Sequence, residues 1–187
     1  MTMIILTPEA AYADREVTSR RTTLRGKTAY RKKETKVSRI KDKDGNLVEF
    51  ASTGAQSAGH ASCRMRIMRK IAEALPLDRK KEKELSAAIR KMKKPDKFYI
   101  DADYVFVKCP EKYHIVKVII RWDSVTITGR THDRRAPDIL TGTLSESFYH
   151  PVKALLKSGL TIEEVYDRIS SVVNGVSKEF DTFGEVK

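Results

Sequence analysis

Residues 98–130 read FYIDADYVFVKCPEKYHIVKVIIRWDSVTITGR, and this stretch decides the fold class. It contains three strand-like runs, 98–108, 113–122 and 125–130. Cys109-Pro110-Glu111-Lys112 and Asp123-Ser124 separate them with turn-forming residues. Val116, Val118, Ile120 and Trp122 alternate onto one face, and Val125 and Ile127 match them on the neighbouring run, as cross-strand pairs do. Residues 104–107 are apolar on both faces, which predicts a central strand. The pattern is that of a three-stranded antiparallel meander.

Upstream of the meander, 36–40 and 46–51 flank Asp44-Gly45, a hairpin signal because Gly tolerates the positive φ of a tight turn. Gln56 to Leu75 has helical spacing. Ala61, Met65, Met68, Ala72 and Leu75 share one side, widened by Ile67, Ile71 and Ala74, while Arg66, Arg69, Lys70 and Glu73 lie opposite. His60 and Arg64 fall inside the apolar arc, His60 as a half-buried core edge and Arg64 as a side chain that must snorkel or find a partner. Pro76 ends this helix, and Asp78 is the expected N-cap of a second one running to Lys93, with a narrow apolar stripe of Leu85, Ala88, Ile89 and Met92. After a polar loop at 131–142, two more helices are expected at 144–157 and 162–174. Gly159 suits the end of the first, and Thr161 with Glu164 forms a capping box for the second.

The order ββ-αα-βββ-αα predicts an α+β fold, an antiparallel β meander with helical pairs packed on it. The expected organisation is a single domain over 36–175, a basic and flexible arm over 1–35, and a frayed tail over 176–187. Within the arm, Met3 to Leu6 reads as a short strand or staple covering a core edge. No apolar run approaches the roughly 20 residues of a membrane span, and no secretory signal is visible. The two cysteines, Cys63 and Cys109, exclude a disulfide-dense scaffold and fit a reducing, cytoplasmic setting.

Charge points to the partner class. The 37 basic and 25 acidic side chains leave a net charge of +12. The excess sits in the first half, since residues 96–187 hold 13 basic and 14 acidic side chains. Such asymmetry suggests a polyanion-binding half beside a neutral structural half. In the arm, Arg20, Arg21, Arg25, Lys27, Arg31, Lys32 and Lys33 are interleaved with hydroxyls and Tyr30, a mixture suited to phosphates and to stacking on a base. Arg66, Arg69 and Lys70 on the first helix extend this basic set. Arg79, Lys80, Lys83, Arg90, Lys91 and Lys94 on the second make a broad face long enough to follow several phosphates.

The expected function is non-catalytic nucleic-acid binding through these side chains, with RNA or single strands slightly favoured by the Arg-rich arm. No sequence-specific readout signature occurs, and no cofactor is implied. One alternative is a metal-dependent nuclease, with Asp101 and Asp103 on one strand face and His132 and Asp133 in the following loop as catalytic candidates. Another is a basic protein-interaction module that docks on an acidic partner such as a polymerase or ribonucleoprotein. Three further motifs are weaker. Gly54-Ala-Gln-Ser-Ala-Gly59 has the spacing of a phosphate loop but lacks the Lys and hydroxyl that must follow it. Residues 151–173 resemble a helix-turn-helix, yet Glu163, Glu164 and Asp167 would repel a phosphate backbone, so a packed helical hairpin is expected. His60 and Cys63 cannot complete a zinc site alone.

Overall fold

The meander sits inside a five-stranded antiparallel sheet. The computed structural model describes residues 3–23, 26–57, 60–141, 146–173 and 176–186, with 16–23, 26–33, 141 and 146–148 described as backbone only. The sheet has the order β5-β6-β7-β8-β9, formed by Ser38–Lys41, Leu47–Gln56, Ile100–Cys109, Lys112–Ile120 and Val125–Asp133. β7 is central, in agreement with its two apolar faces. The β5–β6 turn carries Gly45 at φ 83.

A second sheet lies behind the first. Its order is β10-β1-β2-β11, from Asp138–Thr141, Met3–Leu6, Ala11–Asp14 and Phe180–Phe183, all antiparallel. Ile4, Leu6, Ala11 and Ala13 point between the sheets and meet Val105, Val107, Tyr113 and Ile115. Helices α1 (Ala61–Ala74) and α2 (Arg79–Lys91) cover the outer face of the five-stranded sheet through Ile67, Met68, Ile71, Leu85 and Ile89. Helices α3 (Glu146–Lys157) and α4 (Ile162–Val172) cover the outer face of the other through Val152, Val165, Tyr166 and Ile169, which pack on Met3 and Ile5. The result is a four-layer α+β arrangement of helix, sheet, sheet and helix. Among the described residues no helix is long and apolar enough to cross a membrane.

This architecture corrects the boundaries expected from sequence. Residues 3–14, assigned above to an arm, are two of the most deeply buried strands. Every side chain from Met3 to Leu6 is fully buried. Burial of each such apolar side chain is worth about 1.5–3 kcal/mol as an upper estimate, more than a free terminus can forgo. β3 (Glu16–Thr23) and β4 (Gly26–Lys33) pair antiparallel as a backbone hairpin, in register from Glu16 opposite Lys33 to Thr23 opposite Gly26. The tail is also structured where β11 pairs with β2, and the expected loop at 131–142 contains the end of β9 and all of β10.

The first helix begins at Ala61 rather than Gln56 because β6 continues to Gln56 against β7. Gly54 is what allows this. It has φ +109, and a Cβ there would stand 2.5 Å from the Asp101 carbonyl oxygen. The would-be phosphate loop is therefore strand at Gly54–Gln56, and Gly59 lies outside the described residues. Trp122 leaves the face it was expected to share, because pairing ends at Ile120 opposite Val125 and the turn carries it outward. The expected packed hairpin at 151–173 is present as α3 and α4, and α4 carries the full Thr161–Glu164 capping box.

Candidate functional site

Two places in this fold concentrate charge. The first is a buried ion pair at the end of the four-stranded sheet where β1 begins and β2 ends. The β3–β4 hairpin creates it. Glu34 N–H donates to the Arg15 carbonyl at 2.8 Å, closing the base of the hairpin, and the returning chain sets Lys36 beside Asp14. Lys36 Nζ donates to Asp14 Oδ1 at 2.9 Å, with the Asp14 side chain fully buried and that of Lys36 9% exposed. Asp14 Oδ2 accepts the backbone N–H of Met3 at 2.5 Å.

The surroundings hold this arrangement in place. Lys36 N–H donates to Asp181 Oδ2 at 3.2 Å, and Arg15 Nε pairs with Asp181 Oδ1 at 3.5 Å, so β11 fastens the segment from the other side. Tyr166 of α4 is fully buried and donates its hydroxyl to the Tyr12 carbonyl at 2.8 Å. Its hydroxyl pKa is held well above the ordinary range, first by burial and then by the Asp14 charge. A positively charged amine and a carboxylate are thus locked together against the backbone of residue 3. A lysine so placed can hold or move a proton at a hydroxyl close to it.

The second place is a shallow groove between α2 and β9 of about 720 Å³. Arg79, Lys83, Arg90 and Lys91 line its helical side, and Val125, Thr126 and Ile127 its floor. Asp78 caps α2 by accepting Lys81 N–H at 2.8 Å, as expected. The carboxylate in the groove, Glu82, accepts Gly129 N–H at 2.7 Å and so clips the helix to the strand. Among the described residues no acidic side chain lies within ion-pair distance of the four cations.

The other expected site residues divide clearly. Lys80, Arg69 and Lys70 are exposed. Arg66 instead donates to the Lys93 carbonyl at 3.1 Å, and Lys94 Nζ donates to the carbonyls of Ile89, Arg90 and Met92, closing the end of α2. Arg20, Arg21, Lys27, Tyr30, Arg31, Lys32 and Lys33 fall on the β3–β4 backbone, with side chains outside the described residues, and Arg25 is wholly outside them.

The nuclease candidates are not brought together. Asp103 stands opposite Lys117 and pairs with it at 3.9 Å, while Asp101 pairs with Arg121 at 3.8 Å. His132 stands opposite Tyr113, four residues from Lys117 along β8, or roughly 13 Å. It contacts the Ala136 carbonyl, and Asp133 faces Arg135. Among the described residues no group of three His, Cys, Asp or Glu side chains is placed to hold a metal. His60 sits at the start of α1 with its ring centroid 6.0 Å from that of Phe98, and Cys63 is a buried free thiol.

Sequence reasoning missed Asp14 and Lys36. The local signal was a lone carboxylate closing the apolar run Ala10-Ala11-Tyr12-Ala13, and a lysine followed by Val37. Nothing local pairs residues 22 positions apart, since only the intervening hairpin does so.

Comparisons with known proteins give the chain no family. No protein-family model and no curated protein matches it. One solved structure, Anbu (ancestral beta-subunit) from Yersinia bercovieri, is similar at 9% sequence identity and a TM-score of 0.42, covering 98% of this chain and 80% of that one. An overlap of that degree carries neither residues nor activity across.

Proposed function

We propose that the chain is an acyl-transferring hydrolase in which Lys36, held by Asp14, handles the proton of a hydroxyl nucleophile. The observation that carries this reading is the burial of the pair. Exposed cations cost the fold almost nothing and need no explanation. Removing an ammonium and a carboxylate from water costs several kcal/mol per ion, and an apolar pair of similar volume is often as stable or more so. Buried ionisable groups with a specific charge partner concentrate at functional sites. The hydroxyl we assign to this chemistry is that of Thr2, which lies outside the described residues and is chosen for its bond in sequence to Met3, whose N–H the same carboxylate accepts.

In this reading the Lys36 ammonium shifts a proton onto the Asp14 carboxylate, and the amine so freed takes the hydroxyl proton as the hydroxyl oxygen attacks a carbonyl carbon. The amine returns that proton to the leaving group as the acyl ester forms. Water then cleaves the ester, and its proton travels by the same amine in restoring the hydroxyl.

The test is incubation with p-nitrophenyl acetate, read as a burst of nitrophenol and as intact mass. The expected result is one acetyl group on the wild-type chain, mapped to Thr2, with loss of both signals in Thr2→Ala and Lys36→Met. Thr2→Ala changes neither Asp14 nor Lys36 and so guards against a folding artefact. No adduct on the wild type, or equal acetylation of Lys36→Met, overturns the proposal.

A second reading rests on the α2–β9 groove. There the chain binds nucleic acid without cleaving it, through Arg79, Lys83, Arg90 and Lys91, in the reducing, cytoplasmic setting that its free thiols suit. Counterion release would drive the affinity, so replacing all four cations with Gln should reduce the salt slope by up to about one unit per lost phosphate contact. An unchanged slope removes the groove from the interface. Recovery of an acidic protein from nuclease-treated extract, with no binding to purified nucleic acid, replaces this reading with protein docking.

A further inference from the structure

We infer that Trp122 is a base-stacking platform at one end of the α2–β9 groove, so that the groove takes a single-stranded nucleic acid rather than a duplex or a simple polyanion. This rests on the nucleic-acid reading of the groove and is independent of the Asp14–Lys36 proposal.

The direction of α2 over β9 fixes the geometry. Leu77, just before the helix, packs on Gly129, where an added Cβ would meet the Leu77 side chain at 2.9 Å. Glu82 in the first turn bonds Gly129 N–H. The floor of the groove runs back from there to Ile127, Thr126 and Val125. The helix therefore runs antiparallel to β9, with Arg79 towards Gly129 and Arg90 and Lys91 towards Val125. Twelve helical steps from Arg79 to Lys91 span about 18 Å, enough for several phosphates of an extended strand.

Trp122 lies three residues before Val125, in the turn closed by Arg121 N–H and the Ser124 carbonyl at 2.9 Å. It is 95% exposed, although Trp ordinarily buries most of its surface. Tyr99, also exposed, is at the same end of the sheet, because Ile100 pairs with Ile120. Arg121 projects from this end as well, its side chain 64% exposed. A row of cations ending in exposed aromatic rings matches a strand whose phosphates are continuous and whose bases are free to stack. A duplex keeps its bases stacked internally and offers an indole in this position nothing but backbone. An inorganic polyanion offers no ring at all.

Trp122 is the single tryptophan of the chain, so its fluorescence reports on this point alone. The experiment titrates the full chain with a dT12 oligonucleotide, with its duplex with dA12, and with polyphosphate. The expected result is quenching by dT12 only, and dT12 binding weakened about 5- to 150-fold in Trp122→Ala, the range for loss of one stacked base. Polyphosphate binding should be unchanged by that variant and weakened by Arg90→Gln with Lys91→Gln. Binding of dT12 without quenching, and unaffected by Trp122→Ala, overturns the platform but leaves the groove reading intact. No binding of dT12 or polyphosphate overturns both. Since Trp122 makes no core contact, loss of folding does not confuse the outcome.

Discussion

The ammonium of Lys36 and the cations of α2 carry the same charge under opposite conditions. Arg79, Lys83, Arg90 and Lys91 stand in water, where a unit charge is hydrated and screened within about 8–10 Å. The Lys36 side chain is almost wholly buried, with a buried carboxylate at 2.9 Å as its counter-ion. At that distance the attraction is large only because water is excluded, and for the same reason each partner suffers badly without the other. Placement on the fold, rather than charge count, separates hydrated surface cations from one whose counter-ion is fixed.

The comparison breaks most readily at its buried end. Lys36→Met should destabilise the chain by about 3–5 kcal/mol, because it leaves Asp14 buried without its ammonium. Adding Asp14→Leu should recover most of that loss, as read by urea unfolding. A cost for Lys36→Met below about 1 kcal/mol would mean that water reaches the pair, and the contrast with the groove would disappear.

Helix caps sharpen the comparison at intermediate size. Thr161→Ala removes the capping box of α4, which lies over the buried pair, and Asp78→Ala removes the cap of α2, which carries the groove. Each should cost about 1 kcal/mol. The first should lower acetylation without changing the salt slope, and the second should do the reverse.

A smaller effect lies at His114, whose imidazole is buried beneath the α1–α2 layer with Nδ1 unpartnered. Burial, then the charges of Lys108 and Lys112, hold its pKa below the ordinary 6.5. The unfolded chain then binds a proton that the folded chain refuses. Stability is complete above about 6.5 and falls as the pH drops below it. In His114→Leu the melting temperature should depend less on pH between 6.5 and 5. An unchanged dependence would assign the acid sensitivity elsewhere.

The smallest expected effect on stability belongs to the groove. Replacing its four cations with Gln should leave unfolding within about 0.5 kcal/mol per site while the salt slope falls. Substantial destabilisation would show these side chains to be structural.

Periodicity made the outer half of the molecule legible. The meander, both helical pairs and the caps at Asp78 and Thr161 follow from spacing and local chemistry. What spacing could not reveal is pairing across the chain. Met3–Leu6 reads only as a short strand or staple at a core edge, within an arm, because four residues have too little periodicity to declare a strand buried on both faces. Phe180–Phe183 looked like a tail because its partner, Ala11–Asp14, is more than 160 residues away. Gly54 looked like a turn residue because no local feature reveals the Asp101 carbonyl pressed against it. The basic α2 face could be read from sequence, whereas the Asp14–Lys36 centre was hidden by the same long-range pairings that bury it.

The four-stranded sheet takes β1 and β2 from the beginning of the chain and β10 and β11 from near its end. During synthesis the five-stranded sheet can close as soon as residue 133 emerges, since its strands follow one another in order. The Asp14–Lys36 pair gains its fastening to Asp181 only once β11 has been made. At the usual 5–20 residues per second, the outer edge of β2 stays unpaired for roughly 8–35 s, open to other nascent chains. A nascent chain halted before residue 180 carries a finished basic face and an Asp14–Lys36 pair without its Asp181 contacts. The surface charges of α2 would thus be in place before the buried pair is fastened to β11.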